Sequence, residues 1–319
     1  MTSRIDAHHH VWDLAARDQP WITGPAMDPI RRNFSVDDLC PEAAAAGVTA
    51  TVVVQTVADV TETEELLDLA ATTPLIAGVV GYVDVAAPDV GERLDRLRER
   101  PSGAWLVGIR SPVQDEPDPG WLTRPAVLDG LREVARRDLV YDLLIRAHQL
   151  EAARNAVTQV PHGRYVLDHL AKPAIASGGW EPWASGLAAL GARGNVSAKL
   201  SGLVTEASWS TWATGDLRPY VEHALAVFGP DRLLFGSDWP VCTLAAPYGR
   251  VTAATRELVA GLSTTEQAAV MGGTAVTVYG LAGRRAAGVP HRPDDPEDSE
   301  DSEGSDDPEG SEGPGGVIP

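Results

Sequence analysis

Cysteine is scarce in this chain of 319 residues, occurring only as Cys40 and Cys242. Two thiols so far apart in sequence build no disulfide framework, which points to a reducing compartment. Long apolar runs are missing as well. The amino terminus, Met1-Thr2-Ser3-Arg4-Ile5-Asp6, lacks the hydrophobic stretch of a leader. No segment approaches the ~18 uninterrupted apolar residues of a membrane span. These lacks predict a soluble, cytoplasmic protein with no membrane partner. Positive charge is also short: 26 Lys and Arg face 45 Asp and Glu, a formal charge of −19. Such a balance repels a phosphate backbone and excludes nucleic-acid binding by general electrostatics. The deficit is uneven, because residues 293–319 hold 11 acidic groups and no Lys or Arg, leaving 34 acidic against 26 basic residues elsewhere.

Residues 284–319 are dominated by Pro, Gly, Ser, Asp and Glu, with too little apolar surface to offset the entropy of ordering. They are expected to form a disordered acidic tail, either a solubilising appendage or an interaction segment. Residues 1–283 then make one domain, and with 44% hydrophobic residues in the chain it can bury a large core. Apolar, β-branched runs alternate there with helical patterns, as a parallel α/β architecture requires. The predicted strands are 4–8, 49–55, 75–83, 105–110, 140–145, 164–169, 195–200 and 232–238. Between them, Ser35 with Asp38 opens a helix that Gly47 closes, and Thr61 with Glu64 opens another. Strands followed in turn by helices close into a (β/α)₈ TIM barrel. Residues 11–34, containing Trp12, Trp21 and several prolines, are too long for a plain turn and serve either as a lid over the site or as rim packing.

The first strand reads Ile5-Asp6-Ala7-His8-His9-His10. A period of two puts Asp6, His8 and His10 on one face, with Ile5 and Ala7 facing the helices. Two inward imidazoles at i and i+2 can hold one metal ion or one substrate oxygen. In Tyr165-Val166-Leu167-Asp168-His169 the same period puts Leu167 and His169 at the mouth and Val166 and Asp168 on the other face; Lys172 follows on a loop at the rim. The last strand ends in Gly236-Ser237-Asp238-Trp239-Pro240, where a carboxylate after an apolar run needs a partner. Barrel closure gathers His8, His10, His169 and Asp238 at one face. Gln55, Arg110, Arg146 and Lys199, with His148 just beyond its strand, are further candidates for binding a substrate with hydroxyls or a carboxylate, as are Lys172 and Trp12.

At these residues the sequence resembles the amidohydrolase superfamily, in its lactonase-like branch of sugar-lactone and pyrone-lactone hydrolases. The resemblance spans roughly residues 4–283. It rests on Ile5-Asp6-Ala7-His8-His9-His10-Val11-Trp12, Val53-Val54-Gln55, Val107-Gly108-Ile109-Arg110, Val166-Leu167-Asp168-His169-Leu170-Ala171-Lys172-Pro173, Lys199-Leu200-Ser201-Gly202-Leu203, Phe235-Gly236-Ser237-Asp238-Trp239-Pro240 and Tyr279-Gly280-Leu281. It implies that His8, His10, His169 and Asp238 are catalytic. In metal-dependent relatives these positions ligate one divalent ion, zinc foremost, whereas some lactonase relatives work without metal. Lys199 stands where binuclear or deaminase-like members carry a further histidine, and no bridging carboxylated lysine is evident. Thr274 stands where relatives usually carry asparagine. The implied reaction is opening of a cyclic ester, Asp238 taking a proton from the attacking water and returning it to the alkoxide. A zinc-dependent decarboxylase of the same superfamily is the alternative within the fold, and a non-catalytic binding barrel the alternative outside it. The partner is a small molecule; oligomeric state stays open.

Overall fold

Parallel strands that are apolar on both faces need a second layer on each side, and this chain supplies both. The computed structural model describes residues 4–282; the expected tail, 284–319, lies outside the described residues. Eight strands pair in sequence order: β1 (Ile5–His9), β2 (Ala50–Val54), β3 (Ile76–Gly81), β4 (Leu106–Ser111), β5 (Val140–Leu143), β6 (Arg164–Leu167), β7 (Val196–Leu200) and β8 (Leu233–Phe235). Every pairing is parallel. The ring closes through backbone bonds, from Asp238 N–H to the His8 carbonyl (2.8 Å) and from His10 N–H to the Trp239 carbonyl (2.7 Å). The result is the (β/α)₈ barrel expected from the alternation of patterns.

Helices α1 (Val36–Ala45), α2 (Val60–Thr72), α3 (Val90–Glu99), α4 (Pro125–Arg136), α5 (Leu150–Gln159), α6 (Trp183–Gly191), α7 (Thr214–Phe228) and α8 (Tyr248–Leu258) each follow a strand and form the outer layer. The start of α1 is as the sequence implied: Asp38 accepts from the Ser35 amide at 2.8 Å. The start of α2 differs, because Asp59 rather than Thr61 caps it, accepting from the Thr61 amide at 2.9 Å. Among the described residues no helix is long and apolar enough to cross a membrane.

The barrel interior is a small cluster drawn from strands all round the ring, among them Ile5, Ala7, Val52, Val54, Val80, Val140, Val166 and Leu234. Helix α9 (Thr274–Tyr279) closes its lower end with Ala275 and Tyr279, whose hydroxyl donates to Asp142. Two strand phases differ from the alternation expected. Ile5 and Ala7 face inward, and Asp6 points to the helix layer, where it accepts from the Ser237 amide (2.8 Å), Ser237 Oγ (2.6 Å) and the Tyr248 hydroxyl (3.0 Å). The cause is a bulge: between Asp6 and His9 the register against β2 slips, so three steps of β1 face two of β2. In β6 it is Val166 and Asp168 that point in, while Leu167 packs in the outer core. His169 reaches the mouth because the strand has already ended at Leu167.

Candidate active site

The upper end of the barrel collects side chains that sequence separates by more than 200 positions. The bulge in β1 turns both His8 and His10 inward, so that His8 Nε2 and His10 Nε2 lie 3.2 Å apart. Asp238, just past β8, brings Oδ1 to 3.7 Å from His8 Nε2, 3.5 Å from His10 Nε2 and 3.9 Å from His169 Nε2. His169 arrives by an uncommon route. From His169 through Lys172 the backbone makes a left-handed turn, with φ of 52°, 50°, 58° and 52°. Such a conformation costs about 1–2 kcal/mol per non-glycine residue. The turn is held by the Lys172 amide bonding the His169 carbonyl (2.8 Å) and by Trp183 Nε1 donating to the Leu170 carbonyl (2.6 Å). Asp238 is likewise left-handed, at φ 58°. Backbone strain of this kind persists where the surroundings over-determine it, commonly at functional sites.

The far nitrogens of the three rings are each engaged. His10 Nδ1 lies 2.7 Å from the Val54 carbonyl, which can only accept, so Nδ1 carries the proton and Nε2 presents a lone pair. His169 Nδ1 meets Ser201 Oγ at 2.9 Å. His8 Nδ1 sits 3.1 Å from Lys199 Nζ and 3.3 Å from Asp168 Oδ1. Partners behind a histidine fix its ring and tautomer, as they do around metal ions. His8 Nε2 and His10 Nε2 thus face each other across 3.2 Å beside an aspartate oxygen. Imidazole nitrogens and a carboxylate converging in this way fit one divalent metal ion.

Electrostatics support the same state. Burial, followed by the Lys199 charge, pushes His8 well below its ordinary value, and burial pushes His169 down to about 4, so both rings are neutral at physiological pH. Burial alone would raise Asp238, but the three imidazoles around it, His169 foremost, more than offset it and hold the carboxyl below its ordinary value.

Beneath the rings lies a buried charge network. Lys199 Nζ, on β7, is 2.5 Å from Asp142 and 3.0 Å from Asp168, and Arg110 Nη1, on β4, is 3.1 Å from Asp168. Asp168 would be raised by burial, yet Lys199, His8 and Arg110 hold it well below the usual range. Above the rings opens a cleft of about 230 Å³. Its lining includes His10, His169 and Asp238, and also Gln55, Arg110 and Lys172 from the residues anticipated in the sequence. The other four candidates lie elsewhere. Lys199 is 0% exposed beneath the cleft. His148 is exposed and lines a separate surface hollow with Arg154. Trp12 packs against Trp21 and Phe34 and donates to the Arg32 carbonyl, on the outer side of the loop. Arg146 is exposed, and its charge reaches Lys172 and Glu206 at the cleft wall.

Trp21 lines the cleft from the 11–34 loop, and several further lining residues escaped the sequence reading: Met27 from the same loop, Gln114 and Asp115 after β4, and Thr205, Glu206 and Trp209 after β7. The long loop thus serves the cleft through Trp21 and Met27 while Trp12 packs the rim. Asp142 and Asp168 escaped as members of the site too. A signal for Asp142 exists in Val140-Tyr141-Asp142-Leu143-Leu144, where a carboxylate inside a fully apolar strand requires a buried cation.

Known proteins resemble the chain along most of its length. It is 40% identical over 252 residues to the L-fucono-1,5-lactonase of Burkholderia ambifaria, covering 78% of this chain and 84% of that protein. To the L-fucono-1,5-lactonase of Burkholderia multivorans it is 39% identical over 293 residues, covering 87% and 96%. A crystal structure of an amidohydrolase from Burkholderia multivorans with bound zinc superimposes with a TM-score of 0.83 at 38% identity, covering 88% of this chain and 99% of that one. The sequence profile of the amidohydrolase family matches residues 5–281, and the chain belongs to that family.

Proposed function

We propose that this hydrolase opens the ring of a sugar-acid 1,5-lactone, with His8, His10, His169 and Asp238 as its catalytic group. The observation that carries the reading is the convergence of three imidazole Nε2 atoms and one carboxylate at the base of a cleft that His10, His169 and Asp238 line. Similarity to two L-fucono-1,5-lactonases supports the substrate class. The cleft suits it chemically: Gln55, Arg110, Lys172 and Glu206 offer donors and acceptors for hydroxyls, and Trp21 and Trp209 offer flat apolar faces for the ring.

His8, His10 and Asp238, with His169 beside them, would hold one divalent ion, zinc being the first candidate given the zinc-bound relative. When bound, such an ion polarises the carbonyl and lowers the pKa of water to about 7. Asp238, held ionised, accepts the proton of the attacking water at its carboxylate and passes it to the ring oxygen as the carbonyl–oxygen bond breaks. The histidines are anchored through their far nitrogens by Val54, Ser201 and the Asp168–Lys199 pair. The leaving alcohol remains tethered to the product, so a single cleft suffices. Arg110 is committed to Asp168 and to the Gln55 carbonyl, which leaves its remaining edge for substrate. With both thiols unpaired, a reducing cytoplasmic location is the setting we assign.

The test is a panel of sugar 1,5- and 1,4-lactones assayed for ring opening, with elemental analysis of the purified protein before and after chelation. The expected result is about one equivalent of zinc-like metal and turnover of at least one 1,5-lactone that falls as metal is removed and returns on its addition. Carbon dioxide release from aromatic acids without any lactone opening would replace this reading with the decarboxylase one.

A further inference from the structure

Only two of the 26 basic residues in the chain are lysines, Lys172 and Lys199; the others are arginines. The two amines have opposite surroundings. Lys199 is 0% exposed, its ammonium enclosed by Asp142, Asp168 and His8. Lys172 lies on the wall of the catalytic cleft, and among the described residues its ammonium has no hydrogen bond or ion pair. Glu206 and Asp238 attract it across the cleft without reaching ion-pair distance. Its position is fixed by the left-handed turn that carries His169, with Ala171 and Pro173 buried on either side. A rigid backbone thus holds a partnerless primary amine in the cavity that also contains the centre acting on an activated carbonyl.

We propose that Lys172 is a covalent acylation site, modified by acyl electrophiles that the cleft binds and in particular by a lactone held there; the lactone part rests on the proposed function. Guanidinium groups and a sealed ammonium do not acylate, so Lys172 and the α-amine are the chain's only reactive amines. In the reaction the free amine nitrogen attacks the lactone carbonyl, a C–N bond forms and the ring C–O bond breaks. The ring oxygen leaves as an alkoxide and takes up the proton that the nitrogen loses, with Glu206 on the same wall placed to relay it. No atom is released, so the protein gains the whole mass of the lactone. Hydrolysis, by contrast, leaves the protein unchanged. The amide removes a positive charge and fills the cleft, so turnover carries a slow self-inactivation.

The experiment incubates the full-length protein with excess glucono-1,5-lactone in mildly alkaline buffer and follows intact mass, peptide mapping and residual activity together. The proposal expects an adduct of one intact lactone on the Lys172 peptide that accumulates as activity declines, an unmodified Lys199 peptide, and no adduct at that position in Lys172→Arg. An α-amine that is fully acylated while the Lys172 peptide stays unmodified overturns it. A parallel arm uses the N-hydroxysuccinimide ester of acetic acid, which needs no recognition by the site. Acetylation of Lys172 without a lactone adduct also overturns the proposal, since the amine is then reactive but the lactone does not meet it. Fresh enzyme that opens no lactone, yet is acetylated at Lys172 and not at Lys199, instead refutes the lactonase reading and supports the reactivity of this amine.

Discussion

At the scale of single residues, a ring nitrogen can act only as its far neighbour permits. The Val54 carbonyl behind His10 dictates which nitrogen faces the cleft with a free lone pair. Lys199 lies against His8 Nδ1, and it also neutralises two carboxylates that water cannot reach. Replacing it with methionine leaves Asp142 and Asp168 with too little positive charge, and breaking a buried pair in this way costs about 3–5 kcal/mol. Denaturant unfolding of Lys199→Met should show that loss, together with a fall in bound metal; unchanged stability would mean the network is not charge-balanced as described. His8, His10, His169 and Asp238 were legible because each lies at the end of an apolar run, where a polar side chain needs a reason. Lys199 was legible as an inward residue but not as a buried one, because a strand's period fixes a side chain's direction and not its depth. Glu206 and Trp209 carried no comparable signal: they stand in an irregular connection, and only folding brings them over the cleft.

At the scale of elements, the eight strands could be read because parallel strands covered on both faces appear as unbroken apolar runs. Their phase was less legible where the period of two is interrupted. The slip between Asp6 and His9 reverses which side of β1 faces inward, and the left-handed turn from His169 to Lys172 replaces the last residues of β6. Neither has a local sequence signature, since both are imposed by neighbouring strands and by Trp183 beneath the turn. Gly202 shows how tightly these irregular pieces fit. It has φ +64°, and a Cβ there would lie 2.5 Å from His169 Nδ1 and 3.2 Å from Asp238 Oδ2. Gly202→Ala should therefore cost about 1–2 kcal/mol in stability from its left-handed backbone. By displacing His169 it should lower kcat by roughly a hundredfold, as small misplacements at reacting centres do. Thermal melts and steady-state assays of the purified variant check both, and a stability loss with kcat intact would argue that His169 is not in the reacting group.

At the scale of the molecule, closure of the ring unites residues 8 and 238 and seals much of the core at once. Cys242 is fully buried just beyond Asp238, its thiol pushed well above the ordinary value by burial and then by the charges of Asp238 and Asp6, while Cys40 is exposed on α1. A thiol reagent should thus titrate one cysteine in the native protein and two only after unfolding, with the second appearing at the global transition. Early reaction of Cys242 would show that the β8 end opens independently of the barrel.

In the proposed mechanism a proton moves through Asp238 during hydrolysis of a cyclic ester. The most direct measurement is proton release on opening of L-fucono-1,5-lactone by the wild-type protein and by Asp238→Asn, at matched metal content and with the fold verified by circular dichroism. The account predicts steady acid production by the wild type and a loss of about a thousandfold or more in kcat for the variant. Equal rates from the two proteins would contradict it.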